Sequence, residues 1–213
     1  MGELGKFERK LPEERRRALI EATLACLARD GHAGLSIRKI SQEAGISVGL
    51  INHHYASKDA LVGHAYETLS LGLLANIRDK VEAAGIDPRA RLSAYFRASL
   101  SAPVLERSTL RTWVVFWGMI DHSTIMTEVH DRTYAEYRRL LETLLAAVWE
   151  ASGRPMPDLR LASIGLIAIH DGLWLEWCLN PQTFSSEEAI GLCEQWTDSM
   201  LATGASTGGS RQN

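Results

Sequence analysis

The sequence predicts an all-α protein, with a small N-terminal three-helix helix-turn-helix head and a larger helical body. Three observations carry this. Strand-like alternation is absent, while apolar residues recur at helical spacing through most of the 213 residues. Serine and aspartate caps, glycine stops and proline breaks fall at helix ends. The stretch Ser36–Tyr55 reads as two short helices joined by a tight turn.

The elements follow in order. Pro12 suits a first helical turn, with Glu13 and Glu14 near the positive end of the helix dipole. Ile20, Leu24 and Leu27 recur at i, i+4, i+7, and Gly31 suits a C-terminal stop. Ser36 caps a short helix with Ile37, Ile40 and Ala44 inward, ended by Gly45. Ser47 caps the next, which runs to about Tyr55. Ser57 caps a longer helix reaching about Ala84, expected to connect head and body. Asp87 is a cap with Pro88 at the first helical position. Further helices are predicted over 88–101, 105–122, 124–152, 158–179 and 185–202, with breaks at Pro103, Gly153–Pro157 and Asn180–Pro181. Residues 204–213 are poor in apolar side chains and are expected to be disordered. The domain reading is a head over 1–56, a body over 57–203, and that tail.

Composition excludes several classes. Hydrophobic residues are 46% and charged residues 23%, ordinary values for a folded chain rather than a disordered or fibrous one. No apolar run approaches the roughly 20 residues of a membrane span. The N-terminus carries no apolar signal core. Cys26, Cys178 and Cys193 are an odd set without metal spacing, as expected of reduced thiols in a cytoplasmic protein. The net charge of −3 is unevenly spread: residues 1–60 sum to +2 and residues 61–213 to −5. Lys6, Arg9, Lys10, Arg15, Arg16 and Arg17 concentrate the positive charge, whereas all six tryptophans lie between Trp113 and Trp196.

The head carries the sharper signal. Small Ser41 lets the second short helix pass close to the first. Gly45 can adopt the left-handed conformation that the turn needs. Ile37, Ile40, Ile46 and Ile51 form a shared apolar seam. Ser47 caps the following helix, so its first amides can face phosphate. That helix exposes Ser47, Val48, Asn52 and His53 with little apolar bulk, which suits entry into a major groove. Asn52 can pair with an adenine edge or a phosphate, and Val48 can touch a thymine methyl. Lys58 opens the next helix as a phosphate clamp. The expected DNA-binding set is Ser36, Arg38, Ser47, Val48, Gly49, Asn52, His53, His54, Tyr55 and Lys58.

Residues from about 16 to 62 resemble the DNA-binding head of the TetR family of transcriptional repressors. The matching run is Leu19, Ile20, Leu24, Gly31, Ser36–Ser41, Ala44–Gly49, Tyr55, Ser57–Asp59 and Leu61. Asn52 stands where the family often has an aromatic residue, and Ser41 where it often has alanine. The resemblance implies a homodimer on a palindromic operator, joined through its last two long helices. It also implies a ligand-binding and dimerisation domain at the C-terminus whose small-molecule effector controls DNA affinity.

In the body, Trp113, Phe116 and Trp117 share one helix face at i, i+3, i+4. Downstream, His170, Trp174 and Trp177 recur at i, i+4, i+7 beside Asp171, and Tyr134 and Tyr137 lie between the two segments. Single tryptophans commonly fill cores. Two tryptophan-rich faces with an aspartate point further, because an unpartnered buried aspartate is costly and a cation resolves that cost. Aromatic rings and one anion suit a quaternary ammonium group, which donates no conventional hydrogen bond. The expected effector-binding set is Trp113, Phe116, Trp117, Tyr134, Tyr137, Asp171, Trp174 and Trp177. This arrangement is similar to the BetI-type branch of the TetR family. That resemblance implies a response to choline or a related compound, and control of glycine betaine synthesis genes. The alternative is a regulator of the same family sensing another small hydrophobic or cationic ligand.

Other chemistry finds little support. His53 and His54 are adjacent and point about 100° apart on a helix. No Cys/His set has zinc spacing, and no phosphate-cradling or nucleophile-elbow motif occurs. Neither a metal, a cofactor nor an enzymatic activity is expected.

Overall fold

The computed structural model describes the backbone of residues 4–203 and side chains from Glu13 onward, so the expected disordered tail lies outside the described residues. Those residues form nine α-helices and no strand. They are α1 (Leu4–Gly34), α2 (Ile37–Ala44), α3 (Val48–His54), α4 (Lys58–Ala83) and α5 (Pro88–Ser99), then α6 (Arg107–Trp117), α7 (Thr124–Ser152), α8 (Leu159–Leu179) and α9 (Ser186–Thr203). No described helix is long and apolar enough to cross a membrane.

Two elements differ from the sequence expectation. Helix α1 starts at Leu4, so Pro12 lies within it. Good helix formers flank the proline, and the chain crosses it at the loss of one backbone hydrogen bond. The helix expected over 105–122 stops at Trp117, and a 3₁₀ turn follows at Ile120–His122. Gly118 interrupts the helix-favouring run there. At Gly31 the backbone leaves helical geometry (φ 65°, ψ −177°), in keeping with the expected stop, and α1 continues across this kink to Gly34.

The chain divides into two compact units, and the division falls inside α4, α6 and α7. The first unit takes residues up to Leu71 together with Arg111–Arg132. Here α1 packs on α2 and α2 on α3. Leu19, Leu27, Ile40, Ile51 and Leu61 are fully buried. Each contributes about 1.5–3 kcal/mol of transfer free energy. Lys39 Nζ meets Asp30 at 3.0 Å and Arg29 meets Glu43 at 2.9 Å, tying α1 to α2. These pairs are exposed, so they tune register more than stability. The Lys39 ammonium, then Arg29, holds the Asp30 carboxyl below its usual range.

The second unit takes Gly72–Leu110 and the residues from Thr133 onward. Helix α5 packs on α9, and α9 on α8. Leu92, Phe96, Trp149, Leu166 and Ile190 are buried. Gly165 makes the α8–α9 approach possible, since a Cβ there would lie 2.8 Å from the Trp196 ring. Asp87 accepts a hydrogen bond from the Ala90 amide at 2.7 Å, and Asp158 accepts one from the Leu161 amide at 3.0 Å. Both are N-caps, worth about 1 kcal/mol each. Ser93 donates to Glu194 at 2.5 Å, and Arg89 meets Asp198 at 2.8 Å, linking α5 to α9. The three cysteines are free thiols. Burial pushes the Cys193 thiol up to about 12.

Candidate functional site

The head builds its outward face from short-range rules. Ser36 accepts a hydrogen bond from the Lys39 amide at 3.3 Å and starts α2. Gly45 ends it at φ 63°, ψ 27°, the left-handed cap that a Cβ would strain. Across the turn, the Ser41 hydroxyl donates to the Ile46 carbonyl at 2.6 Å. The small residue therefore also fastens the turn. Ser47 then accepts from the Leu50 amide at 3.4 Å and starts α3.

Ile51 is wholly buried and anchors α3, which decides which face looks out. Ser47, Val48, Gly49, Asn52 and His53 are exposed on α3, and Ser36 and Arg38 are exposed on α2. His54, Tyr55 and Lys58 are half-buried. Among the described residues no ion pair engages Arg38 or Lys58, so both cations are available to an external anion.

Two participants escaped the sequence reading. The Tyr55 hydroxyl lies 2.7 Å from His64 Nδ1. Burial raises the tyrosine and lowers the histidine. Arg16 acts electrostatically on both rings, offsetting part of the rise at Tyr55 and adding to the fall at His64. That places one cation of the N-terminal basic run beside the end of the exposed helix. Sequence spacing cannot bring residue 16 to residues 55 and 64; only the packing of the first unit does.

The aromatic set divides between the two units. In the first, Tyr66 packs against Phe116 at 4.7 Å between ring centres and edge-on to Trp113 at 5.4 Å. Trp113 and Phe116 are buried, and Trp117 is half-buried. In the second, Tyr134 donates to Asp171 Oδ2 at 2.6 Å and its ring lies 6.4 Å from Tyr137. His170 packs on Trp174 at 4.8 Å, and Trp177 on Phe184 at 5.4 Å. Burial raises the Tyr95 hydroxyl, and the Asp171 carboxylate raises it further, so the two lie in one electrostatic neighbourhood.

Sequence spacing alone offers Asp171 no protein partner. The structure supplies Tyr134, and it leaves the Asp171 side chain 29% exposed. A neutral phenol orients a carboxylate without cancelling its charge. No lysine or arginine pairs with Asp171 among the described residues. Nor does any group of His, Cys, Asp and Glu among them have the arrangement of a metal site.

Residues 19–65 match the model of the tetR family of bacterial regulatory proteins. Residues 88–202 match that of the BetI-type transcriptional repressor C-terminal domain. The chain belongs to the TetR family, with a BetI-type C-terminal domain. An HTH-type transcriptional regulator BetI from Paraburkholderia phymatum is 31% identical over 193 residues, covering 91% of this chain and 96% of the relative. The solved structure of a transcriptional regulator from Pseudomonas aeruginosa PAO1 is 47% identical, with a TM-score of 0.84 over 90% of this chain and 92% of that one. A regulator from Saccharomonospora viridis solved with choline has the same fold at 19% identity, with a TM-score of 0.77 over 87% of this chain and 96% of that one. This TetR-family chain is therefore a DNA-binding transcriptional repressor and not an enzyme.

Proposed function

We propose that this repressor senses choline or a related quaternary ammonium compound and controls glycine betaine synthesis genes. The observation that carries the reading is the Asp171 carboxylate: it has no cationic partner among the described residues, and it stands with Tyr134 and Trp174 in the BetI-type domain. A permanent cation with apolar methyl groups supplies the missing charge, and the rings supply polarisable surface. Tyr137 and Trp177 complete the proposed effector-binding set of this unit, while Trp113, Phe116 and Trp117 belong to the first unit. The choline complex of the Saccharomonospora viridis regulator, which shares the fold, supports this effector class.

Residues 1–56 read DNA in this proposal, and residues 57–203 bind effector and dimerise. Two α3 helices enter successive major grooves of a palindromic operator, about 34–36 Å apart. Ser47, Val48, Gly49, Asn52 and His53 face the bases, while Ser36, Arg38, His54, Tyr55 and Lys58 hold backbone. Dimerisation runs through α8 and α9. Its support is an exposed apolar stripe at Leu161, Ile164, Leu175 and Leu179 on α8, continued by Leu192 on α9. Such a stripe marks an interaction surface. The DNA partner places the protein in the cytoplasm. The effector must bind the two DNA-affinity states unequally, and a difference of about 1–3 kcal/mol changes operator affinity 5–150-fold.

Two experiments test the reading. Lys58→Ala should weaken binding about equally on all duplexes and reduce the salt slope of log K by about one unit. An unchanged slope in fluorescence anisotropy would remove Lys58 from the phosphate contacts. Asp171→Asn keeps the shape and removes the charge. Choline affinity, read from tryptophan fluorescence, should fall at least about tenfold, as expected when a charge-assisted contact worth 1.5–3 kcal/mol is lost. Equal affinity for choline in both proteins would refute the carboxylate as the cation's partner.

A further inference from the structure

Beside Asp171 stands a group that the proposed cation site does not use. His170 Nε2 is buried from solvent and has no hydrogen-bond partner among the described residues. Its ring is held on both sides of its chemistry. Trp174 packs against it at 4.8 Å between ring centres, and Nδ1 lies 3.5 Å from Asp171 Oδ1. A buried polar atom without a partner is an unmet cost that native structures rarely leave unexplained.

The Asp171 carboxylate decides which nitrogen carries the proton. A carboxylate accepts hydrogen bonds, so in its singly protonated form the ring carries its proton on Nδ1, the nitrogen that faces Asp171 at 3.5 Å. Nε2 then carries a lone pair and needs a donor. Tyr134 cannot serve, because its hydroxyl donates to Asp171 Oδ2 at 2.6 Å. The donor must come from outside the described residues.

We infer that His170 Nε2 accepts a hydrogen bond from the hydroxyl of the effector, so that the site selects a hydroxylated quaternary ammonium over one lacking a donor. This rests on the effector reading above and adds to it a second recognition point on α8. The two points differ in kind: Asp171 answers the charge, and His170 answers the hydroxyl. A carboxylate-bearing compound such as glycine betaine keeps the cation for Asp171 but offers Nε2 no donor at neutral pH.

The test uses the full chain and isothermal titration calorimetry with two ligands of one shape. Choline and n-propyltrimethylammonium differ by a hydroxyl in place of a methyl group. On hydrophobicity alone the propyl compound binds as well or better. The expected result is that choline binds wild type at least about tenfold more tightly, as a site built around a buried acceptor requires. His170→Phe keeps an aromatic ring on Trp174 and removes the acceptor, and it should bring the two affinities level or reverse them. His170→Ala is a second route to the same loss if the larger ring does not fit. Equal wild-type affinities, or a choline preference that survives both substitutions, overturns the hydroxyl contact and leaves the cation site standing. If neither ligand binds wild type, the effector reading itself fails and this contact falls with it.

Discussion

Gly49→Glu should abolish operator binding while leaving the protein folded. The position lies in the first turn of α3, and nothing stands within 4 Å of where a Cβ would be, so the added side chain meets open space. In the isolated protein the change replaces a helix-interior glycine and removes its entropic penalty, up to about 1 kcal/mol. A first-turn glutamate also interacts favourably with the helix dipole. On DNA the same side chain drives a negative charge and bulk into a face proposed to enter the major groove, between two phosphate backbones. Like-charge juxtaposition at an interface costs several kcal/mol, so affinity should fall by at least about 100-fold. Anisotropy with a labelled operator reads the loss, and thermal melting reads the intact fold. A glutamate variant that still binds operator within tenfold of wild type would mean that α3 does not approach the duplex by this face.

Trp174→Ala should produce the largest loss of stability among the aromatic positions of the proposed effector site. Trp174 is 5% exposed, and its indole N–H donates to the Ser99 carbonyl at 2.9 Å. Ser99 is the last residue of α5, so its carbonyl is one of the four that a helix cannot satisfy internally. The indole caps α5 from α8. Truncation leaves a cavity and an orphaned acceptor, and buried Trp→Ala changes cost about 3–5 kcal/mol. Urea denaturation should report that loss whether or not effector is added. A loss below about 1 kcal/mol would show that the indole is not a structural element of this domain. Substitutions at Asp171 and His170 are for this reason the cleaner probes of recognition.

Much of the head was legible in the sequence because local rules govern it. Gly45 sits where only a left-handed residue closes the turn, Ser36 and Ser47 sit where orphaned amides need an acceptor, and Ile40 and Ile51 define the inward side. The outward set at Ser47, Val48, Gly49, Asn52 and His53 follows once that side is fixed. The boundaries that moved did so for equally local reasons. Proline does not always end a helix, and α1 runs through Pro12. In the body, helix spacing could show that Trp113 and Phe116 share a face, but not that Tyr66 is what they pack against.

By itself, the sequence determined the all-helical class, the helix-turn-helix and the exposed residues of α3, since each depends on spacings of three or four residues and on caps. Only the tertiary structure decided that Tyr134 holds Asp171 from 37 residues away, that Trp174 closes the end of α5, and that His170 Nε2 is left without a donor. Those pairings join separate helices, and which helices meet depends on how whole apolar faces fit together, a property no short window of residues contains.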